Sequence, residues 1–428
     1  MLDGSPMIRQ ASTAGVLSVI TLVFSCGSPS APSSHSMAGA SAPEAGSSGT
    51  EAGGSGATGA TKGSAAGANA VDTESGGANS ESGGSVPAVV GDPVPPAKCS
   101  GLAAVGKWEN ITPPAHDEDY RSADFGVDSG GNVYLGTDSF NTPSRGVLRT
   151  TDCGKTWEQV SVGAHSDAIN NGRQWTFAVN PKKANIIYTN SGYAAEGLYK
   201  SENSGRDWTD VTPRNEGSPA SAGNLQMDPE DPDHLLLTFH APCSGKNNEY
   251  QYEDQVGCFH ETKNGGKDWT SHYGSPTWPA QVRVLLLHGD TWVVLGNETL
   301  YTKDGGKTYA SVLDEGLGGH SSGTLSRARD GIFYIGTQNG IYRSLPGTDG
   351  SNWPPDSSGG AWVGEIAQSA TALWATQQQS SLLTSSDGST WTPVADSPQT
   401  CERAKYDPNN KIVYASCGAS GFWRAVVD

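Results

Sequence analysis

The side chains best suited to catalysis lie in loops that precede short apolar runs. The residues of this kind are His116, Tyr120, Arg121, His165, Arg173 and His240. Arg121 and Arg173 occupy matching places, because each lies seven residues before the polar residue that ends the next run. An Arg beside a His suits elimination on a uronate, since Arg neutralises the carboxylate while His or Tyr takes the neighbouring proton. This set is therefore predicted to be catalytic, in a polysaccharide lyase.

A second set is predicted to bind substrate. It comprises Tyr193, Trp278, Arg283, His320 and Glu365. Aromatic rings stack on sugars, and the carboxylates Glu315 and Glu365 offer the alternative of a glycoside hydrolase. For any single residue an ordinary solvated loop position is the favoured interpretation, and each aromatic is equally consistent with a cover over the strand ends. No metal or cofactor is predicted, because no pair of His or Cys has short ligand spacing.

The charge argues against nucleic acid as a partner. The formal net charge is −18, from 27 Lys and Arg against 45 Asp and Glu, and most of it lies beyond residue 98. Such a surface repels phosphate backbones. The expected partner is therefore a polysaccharide or another glycan.

The N-terminus is typical of an exported protein. Residues 1–25 are predicted to be a signal peptide, whose apolar run over residues 14–24 is too short to span a bilayer. A start at Met7 would give a cleaner signal. The run ends in Val-Phe-Ser-Cys26, which resembles a bacterial lipobox and implies lipidation of Cys26. We expect a lipid anchor in the outer membrane or at the cell surface, with an ordinary secretory signal as the alternative.

Composition separates a tether from a folded domain. Residues 27–98 contain no Phe, Tyr or Trp and are rich in Gly, Ser and Ala, so they cannot bury enough apolar area to offset the entropy of ordering. Residues 26–98 are thus predicted to be a lipidated Cys and a disordered tether, and residues 99–428 a folded domain. The domain holds six cysteines, an even number that suits three disulfides in an oxidising compartment. Sequence alone allows 15 pairings.

An eight-residue motif recurs along the domain. Four good copies occupy residues 150–157 (TTDCGKTW), 201–208 (SENSGRDW), 262–269 (TKNGGKDW) and 302–309 (TKDGGKTY), with weaker copies at 384–391 and ending at Trp353. The motif resembles the Asp-box, or BNR repeat. In that family the boxes lie on the outer rim away from the ligand site, so the resemblance implies that they are structural.

The repeat predicts an all-β fold. Each good copy follows short apolar runs separated by turn signals, and seven middle strands can be counted. The resemblance therefore implies a seven-bladed β-propeller of four-stranded blades. The last blade runs out of chain before its fourth strand, and residues 106–113 are predicted to supply it and close the ring. A closed ring leaves few free strand edges, so a monomer is expected.

The propeller topology also predicts which cysteines pair and which loops meet. It makes neighbours of Cys99 and Cys153, of Cys243 and Cys258, and of Cys401 and Cys417. It gathers the predicted site residues where the inner strands begin. Asp-box propellers include sialidases, xyloglucanases, sortilin-type receptors and photosystem assembly factors, so three functions stay open: a carbohydrate-active enzyme, a non-catalytic glycan-binding module, and a protein-binding scaffold.

Overall fold

A computed structural model describes most of the domain beyond residue 93. The described residues are 94–114, 120–139, 145–193, 195–215, 221–240, 242–243, 257–274, 278, 282–313, 324–328, 330–354 and 362–428, without the side chains of 120–122 and 138–139. The signal peptide, Cys26 and nearly all of the predicted tether lie outside these ranges.

Nearly all of the regular secondary structure in the described chain is β-strand. In chain order the elements are β1 (Trp108–Asn110), β2 (Tyr120–Val127), β3 (Val133–Ser139), β4 (Leu148–Thr150), β5 (Glu158–Gln159), α1 (Ser166–Asn171), β6 (Phe177–Val179), β7 (Ile187–Ser191), β8 (Gly197–Ser201), β9 (Thr209–Asp210), β10 (Ala222–Met227), β11 (Leu235–Phe239), β12 (Cys258–Thr262), β13 (Thr270–Tyr273), β14 (Arg283–His288), β15 (Thr291–Leu295), β16 (Thr299–Thr302), β17 (Ala310–Leu313), β18 (Thr324–Arg327), β19 (Phe333–Thr337), β20 (Gly340–Arg343), β21 (Val363–Gln368), β22 (Leu373–Gln377), β23 (Leu383–Ser385), β24 (Thr392–Pro393), β25 (Arg403–Asp407), β26 (Ile412–Ser416) and β27 (Phe422–Val426). Within the described part of the chain, no helix has the length and hydropathy needed to cross a bilayer.

The strands form seven antiparallel sheets, and the fold is the predicted seven-bladed β-propeller. Blades 1 to 4 are β2–β5, β6–β9, β10–β13 and β14–β17. Blade 5 shows three strands among the described residues, β18–β20, and blade 6 is β21–β24. Blade 7 consists of β25, β26, β27 and β1. The first strand of each blade lines the centre, and we call the face at which these inner strands begin the upper face.

The ring is closed by the N-terminal strand, as predicted. β1 pairs antiparallel with β27, with Trp108 opposite Ala425. The buried Arg424 fastens this edge, because its Nε and Nη2 both lie 3.0 Å from Glu109 Oε2 and its Nη1 donates to the carbonyl of Cys153. The closure therefore couples blade 7 to blade 1 as well as completing its sheet.

Apolar side chains hold neighbouring blades together. The described residues form seven buried clusters, and each joins two adjacent blades around the ring. This arrangement follows from the strands themselves, because a four-stranded blade is apolar on both faces and stacks against a neighbour on each side.

The repeated motif forms a turn between the third and fourth strands. In the first copy Asp152 Oδ1 accepts from the Thr156 amide at 2.9 Å, and the Gly154 amide donates to Thr150 Oγ1 at 2.8 Å. Trp157 Nε1 donates to the carbonyl of Ile111 at 2.9 Å. The motif residues are thus occupied in holding the turn and the adjacent blade.

The three predicted disulfides are confirmed: Cys99–Cys153, Cys243–Cys258 and Cys401–Cys417. The first joins the segment before β1 to the first repeat turn. The second bridges the β11–β12 connection, and the third joins the start of the inner strand of blade 7 to the end of its second strand.

Candidate functional site

Four side chains at the upper face of blades 2 and 3 form one aromatic and cationic group, which we call the Tyr193 cluster: Arg173, Trp175, Tyr193 and His240. The Trp175 ring lies 5.1 Å from the Tyr193 ring and 5.3 Å from His240, centroid to centroid. Tyr193 Oη and His240 Nε2 are hydrogen-bonded at 3.1 Å. Arg173 Cζ lies 4.7 Å from the Tyr193 centroid, within cation–π range. The structure therefore brings together three of the predicted site residues, Arg173, Tyr193 and His240.

Backbone pairing positions the Tyr193 cluster. Arg173 and Gly192 exchange both backbone hydrogen bonds, at 3.0 and 2.9 Å, just beyond the ends of β6 and β7. A Cβ on Gly192 would lie 2.5 Å from the Trp175 ring, so glycine is what lets the ring lie over the backbone there. The buried Asn190 then accepts from the Trp175 amide at 2.7 Å and donates to the carbonyl of Ala222 at 3.1 Å. Blades 2 and 3 hold the cluster jointly.

The Tyr193 cluster offers contacts suited to a sugar ring bearing an acid group. Tyr193 is 59% exposed and has a positive φ of 64°. Exposed aromatic faces bury the apolar face of a sugar, and a guanidinium binds a carboxylate through two parallel hydrogen bonds. The hydrogen-bonded Tyr193 and His240 can also pass a proton between them.

A second group lies in the centre of the ring, and we call it the channel cluster: Asp124, Arg283, Glu365, Arg403 and Lys405. Asp124 Oδ1 lies 2.8 Å from Lys405 Nζ and 3.8 Å from Arg403 Nε. Asp124 Oδ2 accepts from the Phe177 amide at 2.9 Å, and Glu365 Oε2 from the Ala404 amide at 3.1 Å. The inner strands of blades 1, 4, 6 and 7 thus each supply a charged side chain.

Burial and mutual repulsion shift the pKa values in the channel cluster. Burial and the charge of Asp124 raise the pKa of Glu365, although Lys405 and Arg403 oppose the shift. Burial and the positive charge of Arg403 lower the pKa of Arg283 to about 10. Burial would lower the pKa of Arg403, but the carboxylates of Asp124, Glu365 and Glu402 outweigh it and the pKa is raised. Arg283 therefore remains cationic at neutral pH.

His165 lies apart from the Tyr193 cluster. It is exposed and precedes α1, whereas Arg173 follows the other end of that six-residue helix. The neighbouring Ala164 amide donates to Asp207 Oδ1 at 2.7 Å, which fixes this segment against the second repeat turn. The structure therefore places His165 before α1 and Arg173 after it, and a catalytic role for His165 stays a prediction.

Trp278 is core rather than a sugar-stacking surface, which corrects its predicted role. It is only 7% exposed, stacks on Phe259 at 5.7 Å and meets Tyr309 edge-on at 5.8 Å. His116 and His320 lie outside the described residues, as does Glu315. Tyr120 and Arg121 open the inner strand of blade 1, and their side chains also lie outside the description.

A third group, the Glu261 cluster of His234, Glu261, Lys263 and His272, is closed between blades 3 and 4. Glu261 Oε1 accepts from His234 Nε2 at 2.9 Å and Oε2 from His272 Nε2 at 3.0 Å. Burial would raise the pKa of Glu261, but these two hydrogen bonds and the nearby Lys263 hold it well below its ordinary value. The carboxylate is thus fully occupied by groups of the protein.

One group in the described residues has the composition of a metal site. The ligand atoms of Cys243, Cys258 and His260 lie within 4.8 Å of one another. The two cysteines are joined in a disulfide, however, so neither sulfur is a thiolate that could bind a metal.

The sequence did not predict Asp124 and Lys405 of the channel cluster or Trp175 of the Tyr193 cluster as site residues. Arg403 and Lys405 alternate along β25, and a period of two would have placed both on the channel side. Asp124 was visible as an acid inside a strand that begins at the upper face. Trp175 lies in the apolar run of residues 175–179, which by itself predicts only a strand.

Comparison with known proteins supports the fold. No protein-family model matches this sequence, and no curated protein matches it. Solved structures do match, and those of YCF48, BT3049, BT4673 and PorZ are seven-bladed propellers. One is YCF48 bound to D1 peptide, with 15% identity, a TM-score of 0.50, and coverage of 78% of this chain and 100% of that chain.

Two further matches are parts of larger proteins. The extracellular domain of BT3049 from B. thetaiotaomicron gives 11% identity and a TM-score of 0.52 over 71% of this chain and 39% of that chain. PorZ, a surface component of the type-IX secretion system of Porphyromonas gingivalis, gives 14% identity and a TM-score of 0.50 over 69% and 45%. At these identities the likeness is one of fold.

Proposed function

We propose that this chain is an exported β-propeller that binds an extracellular glycan at the Tyr193 cluster, with uronate-containing polysaccharides as the preferred class. The predicted signal peptide supports export, and so do three disulfides, which persist in oxidising compartments. Lipidation of Cys26 and the tether of residues 26–98 would hold the propeller near a membrane while it searches its surroundings; an ordinary secretory signal is the alternative.

The observation that carries the proposal is the exposed Tyr193 ring with Trp175 edge-on to it and Arg173 over it. A sugar ring can stack on one aromatic face, and its carboxylate can pair with the guanidinium. The protein as a whole is acidic, so its net charge disfavours nonspecific binding of anionic polymers. The positive charge of Arg173 favours an anionic ligand locally, at the Tyr193 cluster.

The hydrogen bond between Tyr193 and His240 favours eliminative cleavage as a second candidate function. In such a step Arg173 neutralises the uronate carboxylate, and the Tyr193–His240 pair takes the proton next to it. The electron pair of that C–H bond forms a carbon–carbon double bond. The bond to the glycosidic oxygen breaks, and that oxygen leaves with its electron pair and takes up a proton from solvent water, to which the Tyr193–His240 pair returns the proton it removed.

A protein ligand is the other alternative. The similar structure of YCF48 is of a complex with D1 peptide, and an exposed aromatic and Arg group also suits a peptide. A glycan and a peptide are therefore tested side by side.

The test is affinity electrophoresis of the full-length protein in neutral and uronate-containing polysaccharides. Tyr193→Ala should reduce retention by uronate polymers at least tenfold, because it removes the stacking surface. Leu345→Ala, which removes another exposed apolar side chain, and Arg206→Gln, on the second repeat turn, are the matched controls and should bind normally. Retention by no polysaccharide, with capture of a peptide, would contradict the proposal. Release of unsaturated products would establish the second candidate.

A further inference from the structure

The dipeptide Asn-Gly occurs three times in the chain, at residues 171–172, 264–265 and 339–340. An asparagine before a glycine loses its side-chain amide readily, because glycine has no side chain to hinder attack of its backbone nitrogen on the asparagine Cγ. This ring closure requires the asparagine side chain to turn toward that nitrogen. A hydrogen bond that fixes the side chain therefore opposes the reaction, and the three sites differ in how firmly they are fixed.

Asn264 is held most firmly, in the third repeat turn. Its Oδ1 accepts from the Asp268 amide and from Thr262 Oγ1, both at 2.9 Å, and its Nδ2 donates to Asp268 Oδ2 at 2.8 Å. The amide of Gly265, which would supply the attacking nitrogen, donates to the carbonyl of Asp233 at 2.9 Å. Both groups that would have to react are thus engaged by the fold.

Asn171 is held by fewer contacts, at the end of α1. Its Nδ2 donates to the carbonyl of Asp167 at 2.8 Å. The Gly172 amide donates to the carbonyl of Ile169 at 3.3 Å. One hydrogen bond therefore fixes this side chain, and the following nitrogen is also paired.

Asn339 lies in the turn between β19 and β20, at the upper face of blade 5. It is exposed, and its backbone amide donates to Thr337 Oγ1 at 3.0 Å. Within the part of the chain that the structure describes, no hydrogen bond holds its side-chain amide. Gly340 pairs with Thr337 and has a φ of 111°, so the hairpin itself requires glycine at this position. The fold thus places a glycine after Asn339 and leaves the asparagine side chain able to turn.

We propose that Asn339 is a site of spontaneous deamidation, and that it reacts faster in the folded protein than Asn171 or Asn264. The Gly340 nitrogen forms a bond to Asn339 Cγ, the bond from Cγ to Nδ2 breaks, and ammonia leaves with the proton of the Gly340 amide. Water then opens the five-membered imide at either carbonyl. The product is aspartate or isoaspartate, with release of a proton, and water is the only co-reactant.

The modification changes the charge of the upper face. The β19–β20 turn occupies the place in blade 5 that the Tyr193 loop occupies in blade 2, because each joins the second strand of its blade to the third. Deamidation adds a carboxylate there, and isoaspartate also lengthens the backbone of the turn by one carbon. The proposal is independent of the ligand bound at the Tyr193 cluster.

The test is incubation of the full-length protein at mildly alkaline pH, with peptide mass spectrometry to follow the acid formed at each of the three asparagines. Asn339 should react at least about tenfold faster than Asn264, because several hydrogen bonds must break before Asn264 can react. It should react at least about threefold faster than Asn171, which has one such bond to break. The control is the reduced chain in guanidinium chloride, in which the three rates should agree within about threefold because the folded surroundings are gone.

Two variants test the explanation. Asp268→Ala removes the acceptor of Asn264 Nδ2 and should accelerate deamidation at Asn264 by about threefold to tenfold, while the rate at Asn339 in the same molecule stays unchanged. Asn339→Gln should abolish the modification at this position, because the longer side chain would have to close a larger ring. The proposal is overturned if Asn171 or Asn264 reacts fastest in the folded protein, if Asn339 does not react, if the same order of rates persists in the denatured chain, or if Asp268→Ala leaves Asn264 unchanged.

Discussion

Two histidines of blade 3 lie among aromatic rings. His240 belongs to the Tyr193 cluster, called the open cluster here, and His272 lies with Phe259, Trp278 and Tyr309 in a buried group, called the closed cluster. His240 meets Tyr193, which is 59% exposed. His272 stacks on Phe259 at 4.7 Å and 13°, beside Trp278, which is 7% exposed. The same kinds of side chain thus form a binding surface in one place and an interface between blades in the other. The types of side chain therefore do not identify a binding site in this protein. The exposure of the rings distinguishes the binding surface from the interface between blades.

The carboxylates also differ in whether protein groups enclose them or a cavity adjoins them. Glu261 receives a hydrogen bond on each oxygen from a histidine, with the rings of blades 3 and 4 packed around it. Asp124 and Glu365 also have protein partners, but a cavity of about 310 Å³ adjoins them. A closed cluster contributes stability and specificity of packing, whereas a charged wall beside a cavity can accept a ligand.

The largest effect should come from truncation in the closed cluster. Trp278→Ala removes a buried indole that contacts Phe259 and Tyr309, so the free energy of unfolding should fall by about 3–5 kcal/mol. Tyr193→Ala removes an exposed ring and should change it by less than ~0.5 kcal/mol. Urea unfolding followed by tryptophan fluorescence and circular dichroism measures both. Equal losses of stability would abolish the distinction between the two clusters.

A fall in pH should destabilise the folded protein through the buried His260. Burial and the nearby His272 lower the pKa of His260 from 6.5 to about 4. Between these values the unfolded chain binds a proton that the folded chain does not, so stability is lost as the pH falls from about 6.5 to about 4. At about 1.36 kcal/mol for each pKa unit, the loss is at most ~3.4 kcal/mol. Glu261, whose pKa is depressed, adds a further loss only below its ordinary value of 4.5.

Comparing variants isolates the contribution of His260. His260→Gln should flatten the stability profile between pH 6.5 and 4, measured by urea unfolding at each pH. The control His165→Gln alters an exposed imidazole beside the second repeat turn and should leave the slope as it is. A wild-type slope retained in His260→Gln would show that other groups cause the acid sensitivity.

The fold was predictable because its signals are local. Each repeat turn carries its own Thr or Ser, Asp or Asn, and Gly, and the hydrogen bonds of Asp152 and Thr150 lie within eight residues. Once the blades were counted, the missing fourth strand of blade 7 and the three cysteine pairs followed. A turn motif that recurs along the chain is therefore sufficient to predict the number of blades and the closure of the ring.

The site was predictable only in part, because burial depends on contacts between blades. Arg173, Tyr193 and His240 were placed on one face by strand order, and they meet there. Trp278 follows a strand of the same blade as His240, and nothing in its neighbours along the chain shows that Phe259 covers it. The short helix α1, which separates His165 from Arg173, was not predicted. The channel cluster draws residues from four blades, so it exists only after closure.

Tyr193→Phe is the smallest substitution and the most specific test of the difference between the open and closed clusters, because it removes one oxygen atom. Tyr193 stands edge-on to Trp175 in the open cluster as Tyr309 stands edge-on to Trp278 in the closed one. Tyr193→Phe keeps the ring and loses the hydrogen bond to His240, so glycan affinity should fall by about threefold to tenfold, equivalent to roughly 0.5–1.5 kcal/mol. Tyr309→Phe should leave glycan affinity unchanged. Affinity electrophoresis of the two variants gives the ratio.

The same pair separates binding from catalysis. If Tyr193 only stacks on the sugar, its phenylalanine variant loses part of its affinity and nothing else. If the Tyr193 hydroxyl takes the proton in an elimination, product release should disappear in Tyr193→Phe at saturating polysaccharide while binding persists, because kcat and not KM reports an interaction made only in the transition state. Full affinity in Tyr193→Phe together with a loss in Tyr309→Phe would reverse the roles assigned to the open and closed clusters.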